Sequence, residues 1–417
     1  MPQLSNLVPF PAARRYHDGM RSKTAKLDGA ALTGTAIPGT QDRGDITPSR
    51  QGGFTPWLTA LVLSLLAIGG INLFSASGGG PLFYTQLRHI PIGVAVFFVC
   101  GWLVKPRHLN TYAYVILGGT VLALVAVLVN GQIGGGSRRW LELGIIRAQP
   151  SELAKITVAI VTARFFSTFG LGVTYQLSNL WPLAILIASV AGLVFPQPDL
   201  GTATFLCMIV ASQLCFVNIR WQSIAIMGAV ASAAVPLVWH FLLMDYQKYR
   251  VLSFFNPALD PQGKGYNSLQ SLVAVGSGGL SGKGFMNGTQ TQLKFLPMSH
   301  SDFIFSVFAE EHGFLGGVAL FLMFAAIGYI ALEIAREAKN AFSSLLAIGL
   351  GAFIFLEFTI NIAMVLRMMP VKGLPLPFMS YGGSHLLTAC AVVGLLIAID
   401  RENRLRYKKL QTETFRP

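Results

Sequence analysis

Leu193-Val194-Phe195-Pro196-Gln197-Pro198-Asp199-Leu200-Gly201-Thr202 interrupts an apolar stretch that otherwise runs from residue 181 to residue 218. Read without a break, the stretch is one very long helix. Read with a break at the two prolines, it is two. Proline has no backbone donor and its ring collides with the preceding turn of a helix, so the stretch divides into spans at 181–197 and 200–218. A crossing helix needs about 20 mostly apolar residues for roughly 30 Å of hydrocarbon. Comparable segments lie near 57–76, 89–104, 111–129, 150–168, 222–244, 309–334, 342–366 and 381–399. The count is therefore about ten, and an even count puts both termini on one side.

Composition agrees with this reading. The 417 residues are 53% hydrophobic and only 12% charged, about half the charge of a soluble chain. The expected fold is an all-α polytopic membrane protein of about ten transmembrane helices. Residues 1–55 are polar and rich in Gly, Pro and Arg; they read as a disordered cytoplasmic tail, with no apolar core of a signal peptide. Residues 56–400 form the membrane domain, and 401–417 a basic cytoplasmic tail.

The formal net charge of +13 is a matter of topology and not of nucleic-acid binding. Seven Lys/Arg precede residue 57 and six follow residue 400, while Lys105, Arg107, Arg220, Arg336 and Lys339 fall in short connections on the same side. Basic residues mark the cytoplasmic face, so both termini are cytoplasmic. Two connections on the opposite face are too long to be simple links, and such loops usually carry function. They are residues 130–149 and the large extracytoplasmic loop 245–303. Their basic residues suit an anionic partner such as phosphate. Within the second loop, Leu269 to Val275 is apolar but too short to cross, and reads as lying along the interface. Gly278-Gly279, Gly282 and Gly284 flank Lys283; a flexible loop and a phosphate-approaching backbone both fit that pattern.

Several charges fall at the edge of, or inside, the apolar segments, where they are costly and must be paired or face a cavity. Glu152 and Lys155 share one helix face at i,i+3. They read as an ion pair that snorkels to the interface, although Lys155 sits a turn deeper. Glu357 is embedded in the ninth segment. Asp302, in Phe295-Leu296-Pro297-Met298-Ser299-His300-Ser301-Asp302-Phe303-Ile304-Phe305, sits where loop gives way to bilayer. It reads equally as a helix N-cap and as a reacting acid. Near the end of the chain, Pro375, Pro377 and Gly382-Gly383 break the backbone beside Ser380, Tyr381 and Ser384, which suits a cavity lining.

These blocks together resemble the SEDS family of bacterial cell-wall glycan polymerases, the RodA/FtsW proteins. The resemblance runs from about residue 57 to residue 400. It rests on Arg139-Trp140-Leu141, Arg147-Ala148-Gln149-Pro150-Ser151-Glu152-Leu153-Ala154-Lys155, Gln197-Pro198-Asp199-Leu200-Gly201-Thr202, Ser301-Asp302-Phe303-Ile304-Phe305 and Ser380-Tyr381-Gly382-Gly383-Ser384, in the family's order. Gly279-Leu280-Ser281-Gly282-Lys283-Gly284 and Gly288-Thr289-Gln290-Thr291-Gln292-Leu293 favour the elongation, RodA-type branch over the division, FtsW-type branch.

The resemblance implies an inverting glycosyltransferase of the bacterial cytoplasmic (inner) membrane, multi-pass, with its active site on the extracytoplasmic face. Its substrate would be lipid II, a disaccharide-pentapeptide on undecaprenyl pyrophosphate, polymerised into a β-1,4 peptidoglycan strand for cell elongation and rod shape. Asp302 takes the essential acid's place as catalytic residue, and Lys155 that of the motif lysine. Cations are needed for the departing pyrophosphate, and Arg139, Arg147, Lys155 and Lys283 are candidates, with Glu152 and Ser380 as further substrate-binding residues. A direct Lys155–Asp302 pair would weaken the acid as a base, so such a pair is expected to open on substrate binding. No ligand cluster in the sequence demands a metal, although a divalent cation (Mg or Mn) could share the charge. A class B penicillin-binding protein (a transpeptidase) is the implied partner. The competing readings are a division-type polymerase and a lipid II flippase. The chain departs from the family at Met298, where an acid is usual, at His385, where serine is common, and in the added charges of Arg367 and Lys372.

Overall fold

The computed structural model describes residues 53–134, 137–143, 146–197, 199–256, 264–293 and 295–414. The expected tail before residue 53 lies outside the described residues. The chain begins with three long helices, α1 (Thr55–Ser77), α2 (Pro81–Trp102) and α3 (Pro106–Asn130). Each has a proline in its first turn, where a missing donor costs nothing. A short antiparallel sheet follows, β1 (Gln132–Gly134), β2 (Ser137–Leu143) and β3 (Ile146–Ala148), in the order β1-β2-β3. The long connection 130–149 expected from the sequence thus carries a small meander.

Next come α4 (Pro150–Phe169), α5 (Leu177–Val194), α6 (Leu200–Leu214) and α7 (Trp221–Leu237), the last running on as a π turn through Val238–Leu242. The large loop carries α8 (Asp245–Phe255), α9 (Lys264–Ser277) and the single turn α10 (Thr289–Gln292). Three long helices close the chain, α11 (Ile304–Glu337), α12 (Ala341–Val365) and α13 (Gly383–Thr414). The last passes the expected boundary at residue 400 without a break.

Every one of the ten expected spans corresponds to a helix. Among the described residues, eight are long and apolar enough to cross a membrane; α4 and α6 are the exceptions, for different reasons. α4 carries Glu152, Lys155 and Arg164, and its side chains are almost all buried, so it needs no lipid-compatible exterior. α6 has 15 residues, about 22 Å at 1.5 Å per residue, short of the roughly 30 Å core. The break that decides the count is real: α5 stops at Val194, and Asp199 caps α6 by accepting from the Thr202 amide at 3.1 Å.

α4, α12 and α13 form the buried centre. α13 packs closely on α2, where a Cβ on Gly394 would stand 2.6 Å from the Phe97 carbonyl oxygen. Small residues allow such approach, which is how membrane helices associate. α9 differs from a helix that merely rests on the interface. Its Ser271 hydroxyl is buried against Ser306 Oγ (2.8 Å) and donates to the Val365 carbonyl (2.9 Å), while Leu269, Leu272 and Val273 stay exposed.

The glycines around Lys283 have a structural task. α11 is kinked at Gly313, with φ 64° and ψ −163°. The exposed backbone groups at the kink are paired by the preceding loop. Lys283 and Gly284 amides donate to the Glu310 and Glu311 carbonyls, each at 3.0 Å, and Phe314 donates to Gly279 O at 2.9 Å. A Cβ on Gly313 would stand 2.3 Å from the Gly282 nitrogen. Left-handed backbone with a side chain costs about 1–3 kcal/mol. Gly313→Ala is therefore expected to lower the thermal unfolding midpoint in detergent, against Gly118→Ala as control, whose added Cβ would meet nothing within 4 Å. Equal midpoints for the two variants would refute this account of the kink.

Candidate active site

Asp302 lies in a turn that ends one residue before α11. Phe303 is the N-cap residue and makes no side-chain cap bond, so Asp302 sits outside the cap position. What fixes it is a clamp on three consecutive carbonyls. His300 O accepts from the Tyr381 amide at 2.9 Å, Ser301 O accepts from the Ser380 hydroxyl at 2.7 Å, and Asp302 O accepts from Asn361 Nδ2 at 3.0 Å. The backbone is held, and the residue is half-buried. Gly373 faces it: a Cβ there would lie 3.6 Å from Asp302 Oδ2.

The loops around this turn are strained. Non-glycine residues with left-handed φ occur at Met298 (58°), Arg367 (55°) and Phe378 (64°), with Met286 (59°) in the loop near the kink. Such residues gather at ligand sites, held by surroundings that over-determine them. Burial lowers the pKa of His300 below the usual imidazole value, and the neighbouring Asp302 carboxylate partly opposes that shift. Lys372 is likewise lowered by burial.

Lys155 is not the partner of Asp302. Its ammonium lies 2.8 Å from Glu152 Oε1 and 2.6 Å from Glu357 Oε1, and all three residues are buried. It also stands over the rings of Phe353 (4.9 Å) and Phe205 (5.5 Å), where a desolvated cation is attracted to the π face. The expected opening pair between Lys155 and Asp302 is thus overturned, because Glu357 of α12 takes the lysine. The snorkelling pair is overturned too, since Glu152 and Lys155 point inward. His385 completes the cluster, with Nδ1 3.4 Å from Glu152 Oε2 and Nε2 3.8 Å from Glu357 Oε2. Donor atoms of Glu152, Glu357 and His385 lie within 4.8 Å of one another, as a metal site would require. The lysine ammonium already sits against both carboxylates, so the arrangement fits an ion pair and not a divalent cation.

α12 connects the cluster to the acid. Glu357 and Asn361 are four residues apart and share one helix face, so the cluster lies about 6 Å along α12 from the clamp. Asn361 also donates to Leu374 O at 2.8 Å, tying the loop before α13 to the same helix. Glu357 Oε2, His385 Nε2 and Asn361 Oδ1 are buried and make no hydrogen bond among the described residues. Buried polar atoms of this kind call for water or a ligand.

The other expected site residues divide. Arg139 donates from Nε to Gln197 O at 2.9 Å and lies 3.7 Å from Asp199, joining the sheet to the α5–α6 break. That break also meets the loop before α13: a Cβ on Gly201 would stand 2.7 Å from Lys372 O. Arg147 lies on β3 opposite Glu142; its side chain is outside those described. Lys283 is half-buried against Glu310 Oε1 (2.7 Å) and Thr289 Oγ1 (2.8 Å), beside the kink. Ser380 is buried, and its hydroxyl also accepts from the Leu376 amide at 2.8 Å, so it positions the loop and has no hydrogen left for a ligand. Asn361 and His385 were absent from the sequence-based site. The signal for Asn361 is a second polar residue one turn after Glu357 in an apolar helix.

Comparison with known proteins places this geometry among relatives. The profile described as "Cell cycle protein" (FTSW_RODA_SPOVE) matches residues 56–405. The chain is 36% identical over 356 residues to "Peptidoglycan glycosyltransferase MrdB" of Escherichia coli (strain K12), covering 85% of this chain and 95% of the relative. It is 35% identical over 365 residues to "Probable peptidoglycan glycosyltransferase FtsW" of Coxiella burnetii, covering 84% and 96%. Among solved structures, a chain from a study of "structural coordination of polymerization and crosslinking by a peptidoglycan synthase complex" aligns with TM-score 0.72 and 30% identity, covering 83% of this chain and 97% of that one. The crystal structure of the Thermus thermophilus rod shape determining protein RodA aligns with TM-score 0.60 and 28% identity, covering 83% and 96%.

Proposed function

The chain belongs to the FtsW/RodA/SpoVE family of cell cycle proteins, and we infer from this that it is a peptidoglycan glycosyltransferase that polymerises glycan strands. It is a multi-pass membrane protein. The elongation role is the reading supported by its loop motifs and by its likeness to MrdB and RodA. The substrate is lipid II, and the reacting groups work on the extracytoplasmic face, where the basic outer loops gather.

Chemically, the acceptor sugar's hydroxyl oxygen attacks the anomeric carbon of the donor. The bond from that carbon to pyrophosphate breaks, and configuration inverts. Asp302 takes the hydroxyl proton, which requires approach to about 2.6–3.2 Å. Negative charge grows on the departing pyrophosphate, and cations at the site edge stabilise it. Arg139, held at the α5–α6 break, and Lys372, whose carbonyl lies against Gly201 of α6, are the candidates for this. Lys155, buried and paired, acts on the geometry of α4 and α12 and not on substrate. The observation that carries the proposal is the three-carbonyl clamp, which fixes the backbone of Asp302 and with it the place of the acid beside Gly373.

The ionisable cluster inside the bundle and the basic loops are features a lipid carrier would share. Proteoliposomes with labelled lipid II separate the two readings. Polymer formation supports the transferase, and lipid movement without polymer overturns it.

The crosslinking partner is a single-span class B penicillin-binding protein. A groove of about 450 Å³ between α11 and α12, with Gly328, Gly351, Ala331 and Ala352 in its lining, is suited to one helix packed on small residues. A Cβ on Gly328 makes only ordinary contact with Phe355, at 3.6 Å. Gly328→Leu is expected to reduce co-purification of the partner at least ~10-fold, the equivalent of about 1.4 kcal/mol, while lipid II polymerisation by the chain alone persists. Undiminished co-purification would place the partner elsewhere.

A further inference from the structure

At the end of the bundle where α1 begins, α13 is locked to it by a buried carboxylate. Asp400 accepts from the Thr55 amide (3.1 Å) and hydroxyl (2.6 Å), and Arg404 Nη2 lies 2.6 Å from it. Beside this lock is a cleft of about 840 Å³ between α1, α2 and α13. Its wall is apolar, with Ala60, Leu63 and Phe98, and its polar edge is Arg401 and Arg404 with the indole of Trp102. Arg401 donates to Gly101 O at 2.9 Å and its guanidinium carbon stands 5.1 Å over the Trp102 ring. Arg404 Nε is buried without a protein partner among the described residues. The nearby acids, Asp400 and Glu337, are not part of the lining. Asp400 counters Arg404, so the unbalanced positive charge on the cleft's edge is that of Arg401, with Arg404 Nε as a further donor.

Two cations above an apolar wall, with an interfacial indole between them, recognise an anionic amphiphile. Arg forms forked bonds to phosphate, and basic pockets between membrane helices bind acidic headgroups. The depth of the cleft selects among such molecules. From Thr55 to Leu63 is eight residues of helix, about 12 Å, close to half of the roughly 30 Å hydrocarbon core. Beyond Leu63 a separate, wholly apolar cleft of about 530 Å³ continues between α1 and α2. One leaflet's acyl chain fits the first cleft, whereas a polyprenyl chain would have to enter the second.

We propose that the cleft framed by Arg401, Arg404, Trp102 and Leu63 is a binding site for an anionic glycerophospholipid of the leaflet on the side of the chain termini, distinct from the Asp302 site. The phosphate lies against the two guanidinium groups and an acyl chain covers Leu63 and Phe98. The test is native mass spectrometry of the delipidated full-length protein with phosphatidylglycerol, phosphatidylcholine and undecaprenyl phosphate. Wild type is expected to retain phosphatidylglycerol at least ~10-fold over phosphatidylcholine. Arg401→Gln, and separately Ala60→Trp, which fills the cleft from an exposed position, should reduce that ratio to near one. Retention unchanged in both variants would overturn the site. Undecaprenyl phosphate displacing phosphatidylglycerol would overturn the choice of ligand, as would equal retention of the two phospholipids by wild type.

Discussion

Asp302→Asn is expected to reduce polymerisation of labelled lipid II at least ~100-fold, because a positioned general base contributes about 10²–10⁴ in rate. The variant should fold normally. All three bonds that hold the turn are made to carbonyls, and the amide side chain matches the carboxyl in size. Glycan product resolved on a gel, together with the thermal unfolding midpoint, separates chemistry from stability. Polymer formed within a few-fold of wild type would remove Asp302 from the reaction. Loss of the fold would mean that the carboxyl itself, and not the clamp, holds the turn.

Lys155→Met should be the most destabilising single change in the bundle. It leaves Glu152 and Glu357 facing each other without the ammonium between them, and breaking a buried ion pair costs about 3–5 kcal/mol. Combining it with Glu357→Gln removes one of the two uncompensated charges and the repulsion between them, and should recover part of the lost stability. Activity is the second readout. If the cluster positions α12, and through Asn361 the clamp, the double variant regains part of its midpoint and remains slow. Full activity in a restabilised double variant would reduce the cluster to a packing device.

The sequence carried the helix count because hydrocarbon thickness and proline chemistry are local constraints. α5 ended two residues before Pro196, and Asp199 capped α6, as the spacing from Asp199 to Thr202 allows. The same logic failed at Asp302, which looks like a cap but lies outside one, because the turn is set by Ser380, Tyr381 and Asn361 from distant parts of the chain. Charge in an apolar span was legible as costly at Lys155 and Glu357, yet nothing in their spacing joins residues 202 positions apart. The glycines near Lys283 announced close backbone approach. Whether to a ligand or to the chain itself was invisible until α11 was seen to kink there. Ser380 marked the right place for a different reason, since its hydroxyl is consumed in holding the loop.

α12 carries the small-residue groove at Gly351 and Ala352, the ion pair at Glu357 and the clamp at Asn361 in succession along one rigid rod. From Ala352 to Asn361 is nine residues, about 14 Å. A rod of that length has almost no compliance along its axis. A slide of α12 by a few tenths of an ångström, forced by whatever packs on its lipid-facing side, would arrive at the Asp302 carbonyl undiminished. The acid and the surface where a crosslinking partner is proposed to rest are therefore two stations on one push-rod. Strand growth and strand joining could be kept in step by mechanics alone, with no diffusible signal passing between them.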